Sequence, residues 1–115
     1  MPALPVRQGD VLLIPIEVSL EQLESSLPDA RGLVVAEGET SGHYHAIFGK
    51  GARLMRYRDA TQRVVALVDE GGEVRVVGGG SGGVDRHTPI SLPPGRYEIR
   101  VQRAFYAGYS RQVQD

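Results

Sequence analysis

Arg96-Tyr97-Glu98-Ile99-Arg100-Val101-Gln102-Arg103 sets Tyr97, Ile99 and Val101 at every second position, with Arg96, Glu98, Arg100 and Gln102 between them. A period of two is that of a β-strand with one face on a core and the other toward water. Upstream, Ile90-Ser91-Leu92 runs into Pro93-Pro94-Gly95, a tight turn. Downstream lies the aromatic segment Phe105-Tyr106-Ala107-Gly108-Tyr109, expected to close one end of the fold, and then a polar tail, Ser110 to Asp115, that pairs at an edge or frays.

The same reading extends to the rest of the chain. Arg7-Gln8-Gly9-Asp10 is a turn into the apolar run Val11 to Ile16, where Pro15 cannot donate a ladder bond and places that end of the strand at an edge or bulge. Leu33-Val34-Val35-Ala36, Ala46-Ile47-Phe48, Ala52 to Arg58 and Arg63 to Val68 are further strands. Glu70-Gly71-Gly72 reads as a hairpin turn returning Glu73 to Val77 onto the preceding strand. Ser19 to Leu27 predicts the one α-helix: Leu20, Leu23 and Leu27 form an apolar stripe, Ser19 and Gln22 a capping box, and Pro28 a stop. Gly78 to Gly83 reads as a surface loop, because no Lys-Ser/Thr pair or helix follows to make it a phosphate cradle. Seven to nine short strands, one short helix, 15 Gly and 7 Pro predict a mainly β chain, a compact barrel or sandwich forming a single domain over residues 1–115.

Composition narrows the functional classes. An apolar fraction of 41%, a charged fraction of 23% and a formal net charge of −1 are those of an ordinary globular domain and argue against nucleic acid or an anionic membrane as partner. The absence of Cys removes disulfides and thiolate ligands. No basic segment precedes an apolar one at Met1 to Pro5, so a cytoplasmic protein is expected.

The chemistry-bearing stretch is Gly38-Glu39-Thr40-Ser41-Gly42-His43-Tyr44-His45-Ala46-Ile47. On a strand, His43 and His45 point to one face and Tyr44 to the other. His87 is the third and last histidine. Two neighbouring imidazoles plus a remote one suit a divalent metal site, with Glu39 the best fourth ligand and Glu37 and Asp85 weaker. Such donors fit Zn, Fe, Mn, Ni or Cu without choosing among them, and a bound small molecule is the other use of the cluster. If there is turnover, the metal acts as a Lewis acid or activates water.

A His-x-His strand, a remote His, a Pro-Gly turn and an all-β frame resemble the cupin superfamily over roughly residues 33–103. Gly38 precedes His43-Tyr44-His45 at nearly the cupin distance. Phe48, Gly49 and Lys50 stand where a cupin carries Glu, and His87 precedes Pro94-Gly95 rather than following it. The chain also resembles a group of small uncharacterised bacterial and phage proteins along nearly its whole length. The matching segments are Gln8-Gly9-Asp10-Val11, the Gly38 to His45 core, His87, Leu92 to Tyr97, and Gln102 to Tyr106. That resemblance implies no activity.

The competing reading is a structural or adaptor module in which the histidines are core or interface residues, with His43, Tyr44, His45, Tyr106 and Tyr109 forming a contact surface. A homodimer is expected from the apolar, Pro-bounded run Val11 to Ile16. A nucleic-acid surface of Arg53, Arg56, Arg58, Arg63, Arg100 and Arg103 is offset by 14 acidic residues. Ser41 lacks the elbow motif of a hydrolase nucleophile.

Overall fold

A computed structural model describes residues 4–38, 42–78, 89–106 and 109–112. The strands in chain order are β1 (Val6–Gln8), β2 (Val11–Pro15), β3 (Leu23–Ser25), β4 (Leu33–Glu37), β5 (His43–Phe48), β6 (Arg53–Tyr57), β7 (Val64–Val68), β8 (Gly72–Gly78), β9 (Ile90–Leu92), β10 (Gly95–Val101), β11 (Arg103–Tyr106) and β12 (Tyr109–Gln112). They form a six-stranded sheet in the order β1-β2-β10-β7-β6-β3, a four-stranded sheet in the order β4-β5-β8-β9, and a separate β11-β12 pair. Every pairing is antiparallel. The fold is therefore two sheets and not a closed barrel.

The alternation of β10 holds at Tyr97 and Ile99, whereas Val101, expected on the same inward face, is 39% exposed. Tyr97 and Ile99 face the second sheet and join Val11, Leu13, Ala66, Val68, Ile47, Val74 and Leu92 in the inter-sheet core. Burying each such side chain contributes about 1.5–3 kcal/mol, an upper estimate against a compact unfolded chain. β7 is apolar on both faces because both are covered. Ala66 and Val68 enter that core, while Val65 and Leu67 pack with Val18 and Leu23 on the opposite side of the large sheet. On the other face of β10, which the sequence reading left to water, Glu98 is buried while Arg100 stays exposed. Glu98 is 3% exposed and is held by Arg63 and by Arg100 Nε at 2.6 Å.

Two local expectations are corrected. The helix over Ser19–Leu27 is a single 3-10 turn, Leu20–Gln22, followed directly by β3. Gln22 does reach back, its Oε1 accepting from the Ser19 backbone N–H at 3.0 Å. The leucine stripe is nevertheless not one buried face: Leu23 is 1% exposed, but Leu20 is 47% and Leu27 74% exposed. Extension wins because Leu23 to Ser25 pair with Tyr57 to Met55 of β6, so backbone bonds and the burial of Leu23 come together. The Glu70-Gly71-Gly72 turn is not a hairpin between β7 and β8. β7 lies between β10 and β6, whereas β8 pairs with β5 and β9 in the other sheet. Gly71, at φ 85°, lets the chain cross between layers.

β2 as a whole lies between β1 and β10, so it is not an exposed edge strand. This removes the premise on which the homodimer rested. Pro15 itself behaves as its missing N–H demands. β1 pairs only with Val11 to Leu13, so Pro15 faces β10 with no β1 partner on its other side. No helix among the described residues is long and apolar enough to cross a membrane. The Gly-rich segment lies outside the described residues from Gly79 onward, as do Asp85 and His87.

Candidate functional site

The site is built on β5. Its register sets His45 opposite Ala36 of β4 and Val76 of β8, and Ile47 opposite Val74. Directly opposed residues share a face. His45 thus points with Val76, Val74 and Ile47 into the space between the sheets, and His43 follows on that face by alternation. The expected common face of the two histidines is realised on the strand, with Cα atoms about 7 Å apart at ordinary strand rise. Tyr44 takes the other face, where the Arg31 guanidinium lies over its ring at 4.6 Å. That is a packing role, as its alternation predicts.

His45 is 2% exposed. Its Nδ1 lies 3.0 Å from Oε1 of Gln8, at the end of β1 in the facing sheet. Gln8 is equally buried, at 2%, and its Nε2 donates to the Val74 carbonyl at 3.0 Å. This amide bridges the two layers. The turn that presents it is tight: Gln8 pairs with Val11, leaving Gly9-Asp10 as the loop. Gly9 has φ 61°, as the first central residue of a II′ hairpin requires. Asp10, 1% exposed, completes the turn, and its carbonyl accepts from the Gln102 N–H at 2.8 Å.

His43 stands nearer the end of β5, between two glycines. A Cβ on Gly38 would lie 2.8 Å from the His43 Cβ, because the Gly38 N–H donates to the His43 carbonyl at 2.8 Å. Gly78 is the register partner of His43 on β8. It has φ 87°, and a Cβ there would overlap the Gly42 carbonyl oxygen. Close backbone approach on both sides therefore requires glycine. The Nδ1 of His43 is buried and has no hydrogen-bond partner among the described residues.

Of the expected ligands, His43 and His45 share one strand face, while His87 and Glu39 lie outside the described residues. Glu37 is excluded by register. It opposes Tyr44 and so shares the outer face, where Arg31 grips it through Nη1–Oε1 at 3.1 Å and Nη2–Oε2 at 2.7 Å. Asp29 joins the same guanidinium at 3.0 Å. Hydrogen bonds from Arg31 hold both carboxyls below their ordinary range. Among the described residues, no three His, Cys, Asp or Glu side chains come together as a metal-holding group. A cleft of about 420 Å³ opens beside Leu27, Pro28, Leu33, Val34 and Leu54, and neither His43 nor His45 lines it.

Gln8 and Asp10 are the residues that sequence reasoning missed. A Gln-Gly-Asp segment before an apolar run reads as a solvent-facing turn, and only its recurrence in the resembling small proteins marked it.

Fold and site together define a two-sheet antiparallel β protein with a polar pair, His45 and Gln8, set into an apolar inter-sheet core. Residues 7–102 match the family described as a domain of unknown function, DUF8820, and the chain belongs to that family. No curated protein and no solved structure matches it significantly.

Proposed function

We propose that this protein binds a divalent metal ion, or a small ligand coordinated in the same way, through His43 and His45. His87 and Glu39 are the remaining candidate ligands. The observation that carries the reading is the Gln8–His45 contact across the layers. A ligating imidazole commonly gives its second nitrogen to an acceptor that fixes its orientation. Gln8, held in turn by Val74, is placed to do that. The metal would supply Lewis acidity or an activated water, should the site turn over a substrate.

The adaptor reading has one observation of its own. On the outer face of β5, Tyr44 and Phe48 each lie beneath an arginine, Arg31 and Arg75, at 4.6 Å. Exposed aromatic–arginine pairs suit protein contacts. His45 takes no part in such a surface, since it is buried.

Melting with added Zn(II), Ni(II) or Mn(II), on protein purified without a histidine tag, decides between the readings. Binding to the native state alone adds about 2.7 kcal/mol at a hundredfold excess over the dissociation constant. The gain should disappear near pH 5, where free imidazoles are protonated. His43→Ala and His45→Ala should each remove most of it. No shift with any metal, together with a lowered melting temperature of the metal-free variants, refutes the metal reading.

A further inference from the structure

A neutral imidazole carries its proton on one nitrogen or the other, and the two forms present different atoms to a ligand. The hydrogen-bond partners of Gln8 point to which nitrogen of His45 carries a proton. The Val74 carbonyl can only accept, so the Gln8 atom 3.0 Å from it is the amide nitrogen. The Gln8 atom facing His45 is therefore the carbonyl oxygen, which is also only an acceptor. At 3.0 Å from that oxygen, His45 Nδ1 must be the protonated nitrogen. In the neutral ring Nε2 is then the basic nitrogen, able to accept a proton or a cation.

We infer that Gln8 is a positioning residue that holds His45 as the Nδ1–H tautomer, so that Nε2 is the atom offered to a divalent cation of borderline hardness. The inference deepens the metal-binding reading and rests on it for the identity of the ligand. Its geometry extends across the layers. Gln8 belongs to the large sheet, and Val74 and His45 to the small one, so the tautomer is fixed by the docking of one sheet on the other. The Gly9-Asp10 hairpin sets the position of Gln8, because Gln8 is the last β1 residue before it.

The test begins with the metal-free wild-type chain, labelled with ¹⁵N at histidine. Long-range ¹H–¹⁵N correlation at neutral pH should show His45 with a protonated Nδ1 and an unprotonated Nε2. The opposite tautomer, or a doubly protonated ring at that pH, overturns the assignment whatever the protein binds. The second measurement titrates Zn(II) into wild type, Gln8→Met and Gln8→Glu. Methionine fills the space without an acceptor. Its complex should be about ten- to a hundredfold weaker, the usual effect of removing such a partner. Glutamate keeps an acceptor oxygen for His45 but sets its other oxygen against the Val74 carbonyl, so it should recover only part of the affinity. Wild-type affinity in Gln8→Met overturns the positioning role. The expected tautomer in a wild type that binds no Zn(II), Ni(II) or Mn(II) overturns the metal reading instead, and leaves Gln8 fixing a purely structural histidine.

Discussion

The Gln8–His45 pair makes a quantitative prediction about stability that is independent of any ligand. Both side chains are 2% exposed and their contact is 3.0 Å. Gln8→Leu strands the Nδ1–H of His45, and His45→Leu strands Oε1 of Gln8. Each stranded group costs about 1–3 kcal/mol, because water cannot reach it. The double variant strands neither of these two groups; the Val74 carbonyl loses its Gln8 donor in Gln8→Leu and in the double variant alike, so that loss cancels from the coupling. The double variant should therefore be more stable than the sum of the single losses implies, by at least about 2 kcal/mol from the two penalties that vanish. Urea denaturation of the four proteins, without metal, reads this as midpoint shifts at constant slope. In thermal melts each kcal/mol is about 4 °C for a chain of this size. Strict additivity of the two single losses would refute the claim that these groups satisfy one another.

Two further predictions follow from the surroundings of the site. Gly38→Ala should push the end of β4 away from His43, and Gly78→Ala adds a left-handed backbone penalty of about 1–2 kcal/mol, since Gly78 has φ 87°; both should lower the melting temperature, whereas Gly32→Ala should lower it through backbone strain alone, its Cβ meeting nothing within 4 Å. Asp29 and Glu37 titrate below their ordinary range because Arg31 hydrogen-bonds them, so their contribution to stability is complete above the unfolded carboxylate range and is lost as pH falls through the depressed values; carboxyl NMR titration should show both values moving up in Arg31→Ala, and no movement would refute the pairing.

Periodicity made most of the fold legible. β10 and β5 were readable because alternation survives wherever one face of a strand meets a core. The misreadings have local causes. Leu20, Leu23 and Leu27 satisfy a helical spacing, yet β6 offers Leu23 a backbone partner and a buried position that an isolated two-turn helix cannot match. The Gly71-Gly72 turn carries a hairpin signature, but a β7 that is apolar on both faces needs neighbours on both edges and cover above and below. It takes these from β10, β6 and two separate cores. The common face of His43 and His45 was visible because period two carries residues i and i+2 to one side of a strand. Gln8 was not visible, because nothing in a Gln-Gly-Asp turn says that the opposite sheet will close over it.

Apolar packing alone does not account for a His45–Gln8 pair in the inter-sheet core. Val or Leu at both positions 8 and 45 would bury apolar surface in an environment already formed by Ile47, Val74 and Val76, at the cost of the Gln8 donor to the Val74 carbonyl. Apolar replacement of a buried polar pair is commonly neutral or stabilising. A structural role alone therefore gives little reason to place an imidazole there. Two more local rules are broken at the same end of β5. Gly38 and Gly78 leave out side chains that a strand margin would normally carry, and His43 keeps a buried Nδ1 with no hydrogen-bond partner among the described residues. Each departure costs stability on its own, and all of them fall within one short stretch of one strand and its two neighbours. Local departures that converge in this way single out the stretch for the tests set out above. The stretch they share is the one that carries two imidazoles on a single face.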